Sequence, residues 1–263
     1  MSDILVESWL DLHDKLFQPA WQPTINRFRA QLAFRGLSDA HYDLSTSLMR
    51  LGQGYDRLEK HLLRNFRKYA HRDAVPDDSN WNWLTLAQHH GLPTRLMDWT
   101  FSPYVAMHFA TANLDAFTCD GVIWAVDYVK VHAALPERLQ NELKQEGADL
   151  FTVEMLDRLA PGIDGLAQPQ DEPCLLFLEP PSIDDRVVNQ YALLSVMSSA
   201  TMRVDGWLAA RPEFYARYII PAALKWEIRD KLDQANVTER VLFPGLDGLS
   251  IWLRRHYTPR AHG

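Results

Sequence analysis

Gly121-Val122-Ile123-Trp124-Ala125-Val126-Asp127-Tyr128 is the pivotal stretch. It follows a Cys-Asp-Gly turn and is dense in β-branched and aromatic residues, which suit a pleated surface, so it predicts a strand. Three later runs read the same way: Leu175 to Leu178, ended by Pro180-Pro181; Tyr191 to Met197; and Ala216 to Ile220, stopped by Pro221. Between the first two, Gln145 to Pro173 is punctuated by glycines and prolines and reads as a loop-rich insertion whose order the sequence leaves open. Ala222 to Gln234 then predicts a helix with Leu224, Ile228 and Leu232 on one face, and Val241 to Leu249 reads as turn-rich before Ile251-Trp252-Leu253.

Upstream of the pivotal strand the period changes. Ile4, Leu5, Trp9, Leu12 and Leu16 recur at three- and four-residue steps, predicting an amphipathic helix that ends before Pro19. Gln31 to Gly36 looks like a short strand, and Leu44 to Leu48 a loop or strand edge. Tyr55 to Arg72 predicts a helix with Leu58, Leu62, Phe66 and Tyr69 on its apolar face and Arg57, Lys60, Arg64, Lys68 and His71 on the other. Trp81 to His90 is a second helix stopped by Gly91 and Pro93, Thr94 to Thr100 reads as a loop, and Ser102-Pro103 caps a third helix through Tyr104, Met107 and Ala110. Helices come first and strands mostly later, without regular alternation. That order predicts an α+β fold, a single domain with N-terminal helices packed on a mixed or mainly antiparallel sheet.

Composition bounds the partners. Across 263 residues, 27 Lys+Arg against 34 Asp+Glu give a net charge of −7, which excludes a globally basic wrapper of nucleic acid. With 47% hydrophobic and 23% charged residues the chain should fold around a substantial core. Two cysteines are too few for a disulfide framework and fit a reducing compartment. The start Met1-Ser2-Asp3, with Glu7, Asp11 and Asp14 close behind, lacks the form of a signal peptide, and no apolar run of about 20 residues exists to span a membrane. A cytoplasmic protein with no membrane partner is expected.

Standard nucleophile-elbow, phosphate-loop and metalloprotease motifs are absent, and no metal site is expected, since His89 and His90 are adjacent and leave a helix in different directions. The densest polar cluster is Gln88, His89, His90, Thr94, Arg95, Asp98, Trp99 and Thr100. Two readings of it stay open. In one, Arg95 and Asp98 form a buried charge-assisted pair and His89 is a hydrogen-bonded core histidine. In the other, the loop presents His89 and Arg95 to an anionic ligand. Arg35-Gly36, at a strand end, offers a guanidinium fork beside a residue that permits close backbone approach. Arg186 and Gln190, ahead of a strand, share that ambiguity. The stripe Arg57, Lys60, Arg64 and Lys68 is either a solvated helix face or a local phosphate contact for nucleic acid.

Phe34-Arg35-Gly36, the long Gln88-His89-His90-Gly91-Leu92-Pro93-Thr94-Arg95-Leu96-Met97-Asp98-Trp99-Thr100 stretch, Arg186 with Gln190, and Leu242-Phe243-Pro244-Gly245-Leu246-Asp247-Gly248-Leu249 together resemble the FRG-domain family. The resemblance runs over 30–253, leaving 1–29 as an N-terminal helical segment and 254–263 as a tail. FRG domains resemble ADP-ribosyltransferases in an Arg-Gly at the end of an early strand. By that likeness the fold is ADP-ribosyltransferase-like, Arg35 contacts NAD, and the chain is a nucleotide-binding protein, either an NAD-consuming transferase or glycohydrolase or a non-catalytic nucleotide or nucleic-acid module. Ser45-Thr46-Ser47 spells a transferase-like triplet but stands too close to Arg35 to serve as one. The resemblance implies Arg35, His89, Glu179 and Gln190 as catalytic candidates. It implies Arg35, Gly36, Gln88, His89, Thr94, Arg95, Asp98, Trp99, Arg186 and Gln190 as ligand-binding candidates, with NAD as a substrate rather than a resident cofactor. Trp99 or Tyr191 would stack on its ring.

Overall fold

The computed structural model describes residues 3–70, 75, 77–168 and 170–259. His71, Arg72 and Pro169 of the expectations above therefore lie outside the described residues. The strands are β1 (Ile4–Leu5), β2 (Trp21–Gln22), β3 (Arg27–Phe28), β4 (Leu32–Leu37), β5 (Leu96–Thr100), β6 (Gly121–Asp127), β7 (Leu175–Leu178), β8 (Ala192–Met197) and β9 (Tyr215–Ile220). β2 and β3 form a separate hairpin, and the rest build one seven-stranded sheet in the order β1-β9-β6-β4-β5-β8-β7. Every pairing in that sheet is antiparallel except β1 on β9, which makes it mixed.

The helices are α1 (Trp9–Phe17), α2 (Tyr55–Tyr69), α3 (Asn80–His89), α4 (Pro103–Ala110), α5 (Tyr128–Ala133), α6 (Glu137–Glu146), α7 (Val153–Leu159), α8 (Asp185–Asn189), α9 (Val204–Ala209), α10 (Lys225–Gln234), α11 (Glu239–Leu242) and α12 (Leu246–His256). Strand alternation sends side chains to two faces of the sheet. On one face Val122, Trp124, Met97, Trp99 and Phe177 pack against α5 and α9 in a continuous layer. The other face carries two separate helix groups. α2, α3, α6 and α7 cover the β5-β8-β7 end through Leu96, Leu176 and Leu194, whereas α1, α4 and α10 cover the β4-β6-β9 end through Phe34, Ile123 and Tyr218. Between them lies a seam over the junction of β4 and β5. Those two strands share a single register pair, Phe34 with Thr100, and splay beyond it.

Several elements differ from the sequence expectation for identifiable reasons. Ile4 and Leu5 are a strand paired with Tyr218 and Ile219, and the helix starts only after Ser8, whose hydroxyl caps the Asp11 N–H. Thr94 to Thr100 is not a loop: Leu96–Thr100 is a central strand, paired along its whole length with β8. α2 is rotated from the predicted face, burying Glu59 and Leu63 while Leu58 and Tyr69 are exposed. Glu59 takes an inward position because it meets a buried arginine. The stretch 145–173 is built into the core by α7 and by Phe151, Ile163 and Leu166. The turn-rich reading of Val241 to Leu249 holds at Phe243 to Gly245, which connect the end of α11 to the start of α12.

Candidate functional site

The seam encloses a cavity of about 230 Å³. Its floor is sheet: Phe34, Gly36, Asp98, Thr100, Ala192 and Leu194, which alternation and register place on one face. One wall is the C-terminal turn of α3, with Thr85, Gln88 and His89, and the opposite wall is Phe109 of α4. The roof is the β7–α8 connection and α8, contributing Pro180, Ile183, Arg186, Val187 and Gln190. A wider open trough of about 870 Å³ continues outward past Gln88, His89, Asp98 and Arg186 towards Phe243 and Asp247.

Arg35 belongs by alternation to the opposite face of the sheet, paired with Trp124, yet the splay of β4 from β5 lets its guanidinium turn into the gap. There Nη1 donates to the backbone carbonyl of Asp98, while the buried Nε has no partner. Burial pulls the Arg35 pKa below its usual value, the Asp98 carboxylate opposes that shift, and Arg50 reinforces it. Gly36 answers a different need. A Cβ there would sit 1.9 Å from the Ala106 carbonyl, so the missing side chain is required by the close approach of α4 rather than by a ligand.

Three residues of the long motif form one hydrogen-bonded chain. The Thr94 hydroxyl donates to Gln88 Oε1 at 2.5 Å, and Gln88 Nε2 donates to Asp98 Oδ2 at 2.9 Å. Because the amide oxygen already accepts from threonine, the amide nitrogen must face the carboxylate, which fixes both side chains. His89 Nε2 meets Asp184 Oδ2 at 2.6 Å. Asp184 Oδ1 in turn caps α8 through the N–H groups of Arg186 and Val187. Burial alone would raise the Asp184 pKa, but those N–H groups and His89 hold it below the usual carboxylate value. One carboxylate thereby ties the α3 wall to the roof.

The far end of the roof is tied to the C-terminal helices. Asn189 Nδ2 and Gln190 Nε2 donate to the carbonyls of Val241 and Leu242, each at 2.9 Å, and the Thr100 hydroxyl donates to the Gln190 carbonyl at 2.7 Å. Phe243, just beyond, lies under the Arg186 guanidinium at 5.1 Å. This segment is held by a buried ionic cluster in which Arg255 donates to both Glu239 and Asp233, and Arg229 reaches Glu239 and His108. Burial, helped by Arg229, drops the His108 pKa to about 3, so that histidine is a neutral partner.

The remaining sequence candidates either lie outside the cavity or border it with side chains committed to other partners. Arg95 does not pair with Asp98 and does not reach the cavity: its Nε bonds Glu59 at 2.6 Å, Nη1 the Ile163 carbonyl at 2.8 Å and Nη2 Asp164 at 2.7 Å. Thr94 acts on the site only through Gln88. Trp99 borders the cavity, but its side chain is buried with Nε1 on Ser195 at 2.8 Å and its ring against Phe177, so the ring packs in the core instead of offering a stacking face. Tyr191 is exposed, outside the lining, at a positive φ of 47°. Glu179 also lies outside the lining, its backbone N–H bonded to Phe151. Gln190 is present, but its side-chain amide is committed to Leu242. Of the basic stripe, Lys60 is bridged to Asp164 at 2.6 Å, and none of Arg57, Lys60, Arg64 or Lys68 lines the cavity. Thr85, Phe109, Ile183 and Asp184 were missed by sequence reasoning. Only Asp184 carried a signal, as an N-cap residue before Asp185-Arg186-Val187.

Among the described residues no group of three or more His, Cys, Asp or Glu is placed to hold a metal ion, and no helix is long and apolar enough to cross a membrane. The fold is α+β, with an arginine lodged at a split in its sheet beneath a roof that mixes polar and apolar side chains. Residues 30–119 match the family model of the FRG domain, so the chain carries an FRG domain in that segment. No curated protein and no solved structure matches the chain, and the likeness to ADP-ribosyltransferases has no support from these comparisons.

Proposed function

We propose that the seam cavity binds a nucleotide, with NAD the leading member of the class. The observation that carries this reading is Arg35: a guanidinium held at the cavity by one backbone carbonyl, with a buried Nε–H that has no acceptor. Buried donors are almost always satisfied, so an acceptor, most simply an anionic one, is called for at that place. Arg186 stands in the roof as a second cation, and Phe34, Phe109, Ile183 and Leu194 supply an apolar half suited to a planar base. Cationic and apolar side chains lining one cavity fit a ligand that carries both a phosphate and a heteroaromatic base.

The test is a thermal-shift series with NAD, ADP-ribose and AMP on the wild-type chain and on Arg35→Ala. A ligand at 100 times its Kd adds about 2.7 kcal/mol, and for a chain of this size about 2–4 °C per kcal/mol makes the expected rise in Tm roughly 5–10 °C. Arg35→Ala should fold and lose most of that rise. A wild-type chain whose melting none of the three compounds moves would remove the nucleotide reading.

A further inference from the structure

We propose that the outward face of α2 binds single-stranded nucleic acid through its phosphates, at a site apart from the seam cavity. Arg57, Lys60, Arg64, Arg67 and Lys68 fall within about 100° of one another around the helix and run along about 16 Å of it. A solvated helix face gains from opposite charges at three- and four-residue steps. Here those steps join like charges instead, Arg57 to Lys60, Lys60 to Arg64, and Arg64 to both Arg67 and Lys68, and each such pair weakens the helix. Glu59 offers no relief, because it is buried against Arg95. Asp56, the other acid of α2, stands one turn before Lys60, but that lysine reaches Asp164 instead at 2.6 Å, with its side chain still 70% exposed. Asp78 meets Arg67 at 2.7 Å. Arg57, Arg64 and Lys68 are exposed and have no acidic partner among the described residues.

The face is concave as well as basic. Lys60, Arg64 and Arg67 line a cavity of about 270 Å³ with Asn80, Gly162 and Ile163, and no carboxylate is among its described lining residues. A phosphate in that hollow meets the unpaired Arg64, with Lys60 one turn before it and Arg67 one turn after. Tyr69 then selects the kind of polyanion. Its ring is 80% exposed and lies under the Lys68 ammonium at 5.2 Å, at the C-terminal end of the stripe. Exposed rings beside cations that track a backbone hold unpaired bases, since every base has a stacking face, whereas a duplex hides those faces. An anionic membrane would need an apolar stripe to embed, and the large apolar residues that α2 exposes are Leu58 and Tyr69 alone. With a net charge of −7 over the whole chain, the contact is local to this helix.

Fluorescence anisotropy of a labelled oligo-dT strand with the full chain tests the proposal. Neutralising about three to five phosphates sets a salt slope of about −2 to −3.5, so affinity should fall roughly 20- to 100-fold between 50 and 200 mM salt. The triple variant Arg57→Ala, Arg64→Ala, Lys68→Ala should bind at least about tenfold more weakly at 50 mM salt and, relieved of like-charge repulsion, melt no lower than wild type. Tyr69→Ala should lose about tenfold at both salt concentrations, and Arg254→Ala, an exposed cation on α12, should bind like wild type. Absence of strand binding at 50 mM salt, a triple variant that binds like wild type, or an equal loss in Arg254→Ala overturns the proposal. So does a duplex of the same length bound as tightly as the strand, or phosphatidylserine vesicles bound more tightly through the same cations. If the triple variant melts below wild type, Arg64→Glu alone decides, and strand binding unchanged by that reversal overturns the assignment.

Discussion

Glu59→Leu should be among the most damaging single changes in this chain, although Glu59 lies outside the cavity. Its carboxylate is 1% exposed and the facing Arg95 is 4% exposed. Oε2 receives the Arg95 Nε–H at 2.6 Å and Oε1 the Arg95 backbone N–H at 2.9 Å. Leucine removes both acceptors and leaves a guanidinium that cannot lose its proton with its Nε–H unpaired, held only by the Ile163 carbonyl and the more exposed Asp164. Breaking a buried pair from one side costs about 3–5 kcal/mol, which at about 2–4 °C per kcal/mol lowers Tm by roughly 6–20 °C. Arg95→Met leaves the buried carboxylate with only the backbone N–H at position 95, so this variant should be destabilised as well. The double variant removes both charges and should be more stable than the sum of the single losses by about 2 kcal/mol or more. Urea unfolding of the four proteins at pH 7, followed by far-UV circular dichroism, gives the cycle. If Arg95→Met leaves stability within about 0.5 kcal/mol of wild type yet abolishes the ligand-induced shift, the structural assignment of Arg95 is wrong and it is a ligand donor.

Gly36→Ala places a methyl 1.9 Å from the Ala106 carbonyl and 2.7 Å from the Ala110 nitrogen. α4 must move, at an overpacking cost of at least about 1–3 kcal/mol, visible as a lower urea midpoint; an unchanged midpoint would mean that the contact is soft. Acid should destabilise the chain through His132, whose Nδ1–H donates to the Asp149 carbonyl while Nε2 accepts the Phe177 N–H. Burial lowers its pKa from 6.5 to about 4, so between those values the unfolded chain binds more protons and stability falls as pH drops, by about 2 kcal/mol at pH 5. His132→Asn should show a correspondingly shallower loss from pH 7 to 5, and identical losses would refute the assignment. Residues 30–119 expressed alone should give neither dispersed amide resonances nor a cooperative melt; a cooperative transition would show that the segment is autonomous.

The long strands were legible in the sequence because β6, β7 and β8 are almost wholly buried runs, and β9 is rich in aromatic and β-branched residues and stopped by Pro221. β5 was illegible for a reason tied to the cavity. Asp98 and Thr100 alternate with Met97 and Trp99, but the polar pair faces a cavity, so the short run looks like loop between Pro93 and Ser102-Pro103. Ile4 and Leu5 fit a helical spacing by accident, and only the Ser8 cap marks the true start of α1. The face of α2 was misread because a glutamate occupies an inward slot, which local pattern cannot justify without knowing that Arg95 lies opposite, 36 residues away. The same ignorance of partners put Arg95 into the site. Gln88, His89 and Asp98 line one cavity because one helix end and the strand after it hold them together. Phe109 and Ile183 carried no chemistry to be noticed.

The matched segment and the site do not have the same extent, and the register explains why. Within 30–119 the strands β4 and β5 meet at one pair, Phe34 with Thr100. β4 is instead paired along Leu32 to Leu37 with β6, and β5 along its whole length with β8, both outside the segment. The segment therefore supplies Arg35, the Gln88 to Asp98 chain and both walls, but a two-stranded ladder with one pair has almost no cooperativity of its own. The splay that admits Arg35 exists only because β6 and β8 hold the two strands apart from outside. The roof depends on still later sequence, since α8 is fixed at one end by Asp184 on His89 and at the other by the carbonyls of Val241 and Leu242. Those carbonyls are placed in turn by Glu239 and Arg255, buried against α10. The Leu242-Phe243-Pro244-Gly245 run, remote from Arg35 in sequence, thus supports the roof of the cavity, and a substitution there would be felt at Gln190 and Arg186.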